Sequence, residues 1–294
     1  MKKIIALLLA VIVCFGMFAG CGETEDPVSS TPGTIANAGK KINTDVTMAT
    51  IGEASVKTEA NIPDGAARVI SITIADSSKV LSVVRGTTAK IEYTIKPDTA
   101  HDKSVYYKVA DENIAKVDKD GNVLGYNCGS TTIDVITNDN GFKRTIQVVV
   151  YQNAGDAAKS KEMLDAINAA RTANKQKEFT ANDVALNAAA NQRALEEAID
   201  IVNNGQKAMD NTRPENKGSV FADFDIWSKS SASLYVWGDY SKDTKAAYDA
   251  LVKTEANAKA LGITGEEKVD YDNVAVGYFV FNDVTYWCIL MTSK

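Results

Sequence analysis

The chain has 294 residues and a formal net charge of −6, and it contains four cysteines and a single histidine. The acidic balance argues against binding to nucleic acid, or to anionic lipid through a basic patch. One histidine excludes the common histidine-rich zinc sites and any pair of histidines acting as acid and base. We therefore expect no metal and no cofactor. The length is sufficient for two domains with cores of their own.

The first twenty residues have the pattern of an export signal. Two lysines follow the first methionine, and the apolar run 4–18 is too short to span a bilayer as a permanent anchor. Two small residues then precede Cys21. This ending resembles a bacterial lipoprotein signal, although Phe18 stands where that family usually has Leu. The alternative is an ordinary secretory signal that is cut nearby.

The lipoprotein resemblance implies that residues 1–20 are removed and that the thiol of Cys21 receives lipid. The protein would then be anchored in the cell membrane by that lipid and face the extracellular side. Residues 21–67 are rich in Ser, Thr, Gly, Asn and Ala. Such a segment buries too little apolar surface to offset the cost of ordering it, so we expect a flexible stalk behind the lipid.

From Arg68 onward, short alternating apolar runs are separated by turn residues, which is typical of a small β-sandwich. The Asp-Gly pair at 120–121 and the Asn-Gly pair at 140–141 predict hairpin turns. The predicted strands are 69–72, 80–84, 89–95, 105–109, 114–117, 122–124, 131–137 and 145–151.

Several of these features together resemble the bacterial Ig-like group 2 domain over residues 68–151. They are Pro97 at the end of a strand, Tyr106 and Tyr107 in the next strand, the stretch 114–118 followed by Gly121, and Gly-Ser-Thr-Thr-Ile at 129–133. Tyr107 stands where the family usually has Trp. The resemblance implies an all-β Ig-like sandwich. Such domains occur in surface adhesins and wall-associated enzymes, usually as spacers or binding modules.

After residue 158 the apolar period changes to about 3.6, which predicts helices. The first runs to about Asn174, the second opens at a capping box at 180–183 and stops at 204–205, and the third follows Ser241 and runs to Leu261. Two apolar strands, 274–281 and 284–291, predict a central hairpin that is covered on both faces. Helices on an antiparallel sheet make this half α+β. Cys128 and Cys288 fall in different domains, so we expect buried thiols and no disulfide between them.

Four stretches of this half resemble, in the right order, the CAP superfamily of cysteine-rich secretory and pathogenesis-related domains. They are 164–171 in the first helix, 186–196 in the second, the loop 211–215 with Gly218 and Ser219, and 274–277 with Tyr286 and Trp287. The resemblance spans 156–294 and implies a CAP-like α-β-α sandwich.

The departures from that family concern its usual site, where two histidines and two acids converge and can hold a divalent metal. The first histidine position is Asn211, the stretch 231–235 lacks the usual acid, and 251–261 contains no histidine. Neutral amide and methyl groups cannot replace imidazole as zinc ligands. We therefore expect a degenerate CAP domain that is not an enzyme.

Arg213 is the leading candidate for a ligand contact, because its guanidinium can hold a carboxylate or phosphate at two points. Asn211 and Glu215 share its loop, and Trp237 is the aromatic residue that we expect to be exposed. In the alternative interpretation Arg213 only shapes the loop and pairs with a local acid. For Glu196 and Glu197 we expect an ion pair or a solvated helix face.

These inferences combine into a membrane-anchored surface lipoprotein that acts as a non-catalytic binding or adhesion module at the cell wall or outside it. Peptidoglycan, a polysaccharide, a lipid or a surface protein would be its partner, with the sandwich as spacer or second contact. The rival hypothesis is a metal-independent hydrolase that cleaves wall sugar or peptide with carboxylates in the CAP-like groove. A purely structural spacer is the third.

Overall fold

The computed structural model describes residues 41–205, 213–214, 218–240, 243–265 and 271–293. Cys21, Asn211 and Glu215, which the sequence nominates for lipidation and ligand contact, lie outside these residues. The described chain forms two domains, and an N-terminal segment lies along both of them.

The first domain is a β-sandwich, as the alternating apolar runs predict. Its elements are β1 (Ser71–Ile74), α1 (Asp76–Lys79), β2 (Val80–Val84), β3 (Thr88–Lys90), β4 (Tyr93–Lys96), β5 (Val105–Val109), β6 (Ala115–Val117), β7 (Asn122–Gly125), β8 (Gly129–Thr137) and β9 (Lys143–Tyr151). One sheet has the order β2-β9-β8-β5, another has the order β3-β7-β6, and β1 pairs with β4. Strands β2 and β9 run parallel, whereas the other pairs are antiparallel.

The sandwich core is built from the inward side chains of these strands. Ile133 and Val135 of β8 alternate with outward residues, as do Ile146 and Val148 of β9, and all four are buried. The single strand predicted over 89–95 is instead two strands. The chain leaves β3, which pairs with β7, and joins β1 through β4, so the two halves of that apolar run belong to different sheets.

The second domain is α+β. Its elements are α2 (Ala157–Ala173), α3 (Val184–Asn204), α4 (Val220–Asp223), β10 (Ser231–Gly238), α5 (Thr244–Val252), α6 (Glu255–Ala260), β11 (Asn273–Phe281) and β12 (Val284–Thr292). The sheet is antiparallel with the order β10-β12-β11. The hairpin of β11 and β12 forms as predicted. Only β12 is central, because β10, which the sequence analysis does not predict, pairs with its other edge.

Helices cover both faces of this sheet. Successive side chains of β12 point in opposite directions, so they pack against helices on opposite faces. Cys288 and Leu290 pack in one cluster with α3. Trp287 and Ile289 pack in another, which contains residues of α2 and α5. Both clusters are buried, which explains why β12 is buried along its whole length and is mostly apolar.

The predicted start of one helix and the predicted continuity of another are wrong. Helix α3 begins after Asp183, whose side chain accepts from the Leu186 N–H at 2.9 Å, and not at Thr180. Thr180 instead extends the sheet, because the Val274 N–H donates to its carbonyl at 2.8 Å. The predicted helix from Ser241 to Leu261 is divided into α5 and α6, since Thr254 has an extended backbone.

The N-terminal segment 41–67 contains no helix or strand, yet it contacts both domains. The side chain of Ile42 is buried against residues of α3 and β12, and its backbone exchanges two hydrogen bonds with the amide of Asn203, at 2.8 and 2.9 Å. Farther along, Gly52 N–H donates to Asp118, and Ser55 Oγ accepts from the Tyr107 N–H at 2.8 Å. This part of the expected stalk is therefore bound along the domains and is not a free segment.

Candidate functional site

One face of α3 carries buried charges. Arg193, Glu196, Glu197 and Asp200 follow the spacing i, i+3, i+4, i+7, which places them on one side of the helix, where a core helix usually has apolar residues. Arg213 and Asp223 join them from outside the helix. We call these six residues, Arg193, Glu196, Glu197, Asp200, Arg213 and Asp223, the charge cluster.

All three side-chain nitrogens of Arg213 donate hydrogen bonds to neighbouring groups of the protein. Its Nε and Nη2 atoms donate to Oε1 of Glu196 at 2.9 and 2.7 Å. Its Nη1 atom donates to Asp223 Oδ2 at 2.9 Å and to the backbone carbonyl of Cys128 at 3.1 Å. The Arg213 N–H donates to the carbonyl of Gly218 at 2.9 Å, which fixes the backbone.

Arg193 is the second cation of the cluster. Its Nη2 lies 2.5 Å from Glu197 Oε1, and its Nη1 lies 3.4 Å from Glu196 Oε2 and 3.9 Å from Asp200 Oδ2. The guanidinium also stands 5.8 Å from the ring centre of Tyr235. Glu196 therefore lies between two arginines.

The carboxylates keep both arginines charged in spite of their burial. Burial alone would lower the pKa of each guanidinium, but Glu197 and Glu196 outweigh it at Arg193, as Glu196 and Asp223 do at Arg213. Both pKa values are therefore raised. Removing one partner of such a buried pair leaves an uncompensated charge, so the members depend strongly on one another.

The charge cluster adjoins the contact between the two domains. Cys128, which receives the Arg213 bond, belongs to the sandwich. Beside it, Val149 of β9 packs in one buried cluster with Leu186 of α3 and Phe224. The Gln152 N–H donates to the side chain of Gln192 in α3 at 2.8 Å. The two domains thus share buried surface as well as hydrogen bonds.

The position of Arg213 matches the alternative interpretation, in which it pairs with local acids. Its side chain is 2% exposed, and its donors point to groups of the protein. For Glu196 and Glu197 the ion-pair expectation holds and the solvated face does not, because both side chains are buried. The spacing 193, 196, 197, 200 was the available sign, since charges at these positions share one helix face.

Two tryptophans are placed differently from the sequence expectation. Trp237, expected to be exposed, is half-buried and packs in the same cluster as Ile42 and Leu195. Trp227, which the sequence analysis does not single out, is 88% exposed. Its polar neighbours at 228–230, outside any apolar run, were the sign that could have identified it.

The remaining reactive groups of the described chain are separated or buried. Cys128 and Cys288 are both buried and neither forms a disulfide, as expected. Burial raises the pKa of the Cys288 thiol well above its usual value, which disfavours the thiolate. Within the described ranges, no three His, Cys, Asp or Glu side chains converge as a group able to hold a metal.

Residues 68–148 match the family model of the bacterial Ig-like domain (group 2). The first domain of this protein is therefore an Ig-like domain of that group, which agrees with the resemblance seen in its strands. The match ends at residue 148, within β9.

One curated relative is an alpha-L-arabinofuranosidase from Bifidobacterium longum subsp. longum, 37% identical over 79 residues. The match covers 26% of this chain and 7% of that protein. Among solved structures, domains 4 and 5 of the S-layer protein SbsC are 23% identical, with 28% of this chain and 51% of that chain covered and a TM-score of 0.23. Domains 5 and 6 of SbsC are 13% identical, with 77% and 84% covered and a TM-score of 0.25. TM-scores of this size do not define a common fold.

Among the described residues, no helix combines the length and the apolar character that crossing a bilayer requires.

Proposed function

We propose that this protein is a cell-surface lipoprotein, anchored through Cys21, that acts as a non-catalytic binding module at the cell wall or outside it. The observation that carries the proposal is the group 2 Ig-like domain at 68–148, packed through buried contacts onto a second domain. Ig-like domains of this group serve surface proteins as spacers or binding modules, and here the domain is not a detached spacer.

The anchor is supported by the N-terminal sequence. Two lysines, an apolar run over 4–18 and two small residues precede Cys21, in the order that a lipoprotein signal requires. The negative charge of the chain fits a protein held by lipid and not by electrostatic attraction to anionic headgroups.

We further propose that residues 156–294 form a degenerate CAP domain. In support, helices lie on both faces of a three-stranded antiparallel sheet, and the elements follow the order α2, α3, α4, β10, α5, α6, β11 and β12. Three of the four matching stretches fall on α2, on α3 and on the hairpin of β11 and β12, and the fourth is the stretch before α4. The domain is called degenerate because Asn211 stands at the first histidine position of that family.

The non-catalytic part of the proposal is supported by the state of the carboxylates. A glycosidase needs an acid and a second carboxylate that both reach the substrate. In the charge cluster, Glu196 and Glu197 are buried and paired with arginine. His101 is exposed in the Ig-like domain and is not part of the charge cluster.

The experiment is co-sedimentation of the mature chain with insoluble cell wall, with the supernatant assayed for released sugar and peptide. We use the whole mature chain, carrying Cys21→Ser so that it is soluble, because the two domains share buried contacts. Pelleting without release is the expected result. Release of fragments would overturn the non-catalytic assignment and favour the hydrolase. A protein that stays in the supernatant would overturn binding to the wall.

A further inference from the structure

The most exposed large apolar side chain of the described residues is that of Trp227, at 88%. A tryptophan normally buries most of its large ring, so this degree of exposure leaves much apolar surface in water. The next most exposed, Val56, lies in the N-terminal segment at 73%. An exposed tryptophan is suited to binding when the backbone and neighbouring side chains fix the position of its ring, as they do at Trp227.

The chain on both sides of Trp227 is fixed to the domain. Phe224 is buried completely, and Ile226 packs against the cluster that contains α3. The Ile226 N–H donates to the carbonyl of Phe221 at 2.8 Å, and the Ser230 N–H donates to Ser293 Oγ at 2.9 Å. Trp227 is therefore carried outward by a loop whose neighbouring residues are anchored.

The indole is also oriented by a neighbouring carboxylate. Asp225 has a positive φ of 53°, which is uncommon for a residue other than glycine, and its Oδ1 accepts from the indole Nε1–H of Trp227. The turn and the hydrogen bond together restrict the ring. The apolar faces of the indole remain exposed, next to an oxygen acceptor.

We propose that Trp227, with Asp225 beside it, binds a neutral saccharide chain of the cell envelope. Sugar rings have apolar faces that pack on aromatic rings and hydroxyl groups that donate to carboxylates. This assignment rests on the proposed function and names its ligand class and its contact.

The surroundings of Trp227 favour a saccharide over the other partners. A membrane surface would bring Asp225 close to anionic headgroups, which is unfavourable for a protein of net negative charge. A protein partner would require a larger apolar patch around a central anchor, whereas the neighbours at 228–230 are Ser, Lys and Ser. A neutral polymer with hydroxyl groups requires neither.

The test measures binding of the soluble mature chain to purified peptidoglycan sacculi, with Trp227→Ala as the variant. We expect its affinity to fall by about tenfold or more, since truncation of an aromatic anchor has effects of this size. Val56→Ala is the matched control, because it removes apolar surface at another exposed position, and its affinity should stay unchanged. Equal thermal unfolding of the three proteins ensures that folding is not the cause.

The outcomes separate this inference from the function on which it rests. If the wild-type chain binds sacculi and Trp227→Ala binds equally well, the inference is overturned and the proposed function stands. If the wild-type chain does not bind at all, both fail. If Trp227→Ala loses binding to anionic lipid vesicles and not to sacculi, the site contacts lipid and the saccharide assignment is wrong.

Two substitutions of Asp225 sharpen the test. Asp225→Asn keeps an oxygen acceptor for the indole and tolerates the positive φ, so binding to a neutral saccharide should be largely retained. Asp225→Ala removes both features and should weaken binding in the same direction as Trp227→Ala. Loss of binding in Asp225→Asn with retention in Asp225→Ala would contradict the proposed role of the carboxylate.

Discussion

The Nη1 atom of Arg213 lies 3.1 Å from the carbonyl oxygen of Cys128, so a loop of the α+β domain is bonded to the backbone of the Ig-like domain. The same guanidinium pairs with Glu196 and Asp223. A residue nominated by its sequence motif for ligand contact thus connects the two domains. Because this connection is buried, we expect the domains to unfold together and not as independent units.

Arg213→Ala should lower the free energy of unfolding by about 3–5 kcal/mol, because it leaves the Glu196 carboxylate buried beside fewer donors. Chemical denaturation measures the effect. Arg213→Lys should lose less, since it keeps the charge but not the two-point geometry. Lys161→Ala, which removes an exposed ion pair with Asp165, is the control and should change stability by less than about 1 kcal/mol. A stable Arg213→Ala protein would contradict the structural role of the charge cluster.

Gly277→Ala should destabilise the second domain by about 3 kcal/mol, because its β-carbon would overlap the carbonyl of Ala190 where α3 crosses β11. Neither backbone can move without shifting a helix or a strand. Gly141→Ala is the matched control, since its turn has a positive φ of 64° but no neighbour within 4 Å. It should cost about 1 kcal/mol. Urea denaturation of both variants decides, and equal losses would mean that α3 does not approach β11 closely.

Asp139 should make the Ig-like domain less stable in acid. Burial alone would raise the pKa of its carboxyl, but the Arg68 side chain and the Val69 N–H donate to it and hold the pKa below its usual value. A carboxyl with a lower pKa in the folded state adds stability that is present above its unfolded pKa of about 3.9 and is lost as the pH falls through the folded pKa.

The free energy of unfolding, measured in urea at a series of pH values, should therefore fall below about pH 4. Asp139→Asn cannot ionise, so it should be less stable at neutral pH and should lose less on acidification. Parallel pH profiles for the wild type and Asp139→Asn would refute this assignment.

Cys21→Ser should move the protein from the membrane fraction to the soluble fraction, because no lipid can be attached. Cys14→Ser is the matched control, since it removes the other N-terminal cysteine within the proposed signal. It should leave the protein with the membrane. Fractionation of cells, with mass measurement of the mature N-terminus, decides. Retention of Cys21→Ser in the membrane would disprove the lipid anchor.

The fold was predictable from the sequence wherever one local pattern decides the structure. Strands β2 and β5 have the predicted bounds, because each is a single, mostly apolar run with polar residues on both sides. Strand β10 was missed because it begins with Ser, Ala and Ser, and because its strand structure depends on pairing with β12. The division of 89–95 between two sheets likewise depends on partners that are distant in sequence.

The candidate site was less predictable for the same reason. Trp237 packs against a cluster that contains Ile42, which comes from a segment that composition predicts to be flexible. The environment of Arg213 depends on Cys128, in another domain. The face of α3 was the exception, because its spacing alone places Arg193 and Glu197 together. Local patterns thus revealed pairs within one element, and not contacts between elements.

The hydrogen bonds between Ile42 and Asn203 have a consequence for how far the protein can reach from the membrane. If Cys21 carries lipid, the tether is only the chain between Cys21 and Ile42, which can extend to about 70 Å at most. This tether is attached to the α+β domain through Ile42, although the Ig-like domain comes first in the sequence. With lipid at Cys21, the Ig-like domain would not hold its neighbour away from the bilayer. The two domains, which share buried contacts, would both be confined by the length of that tether.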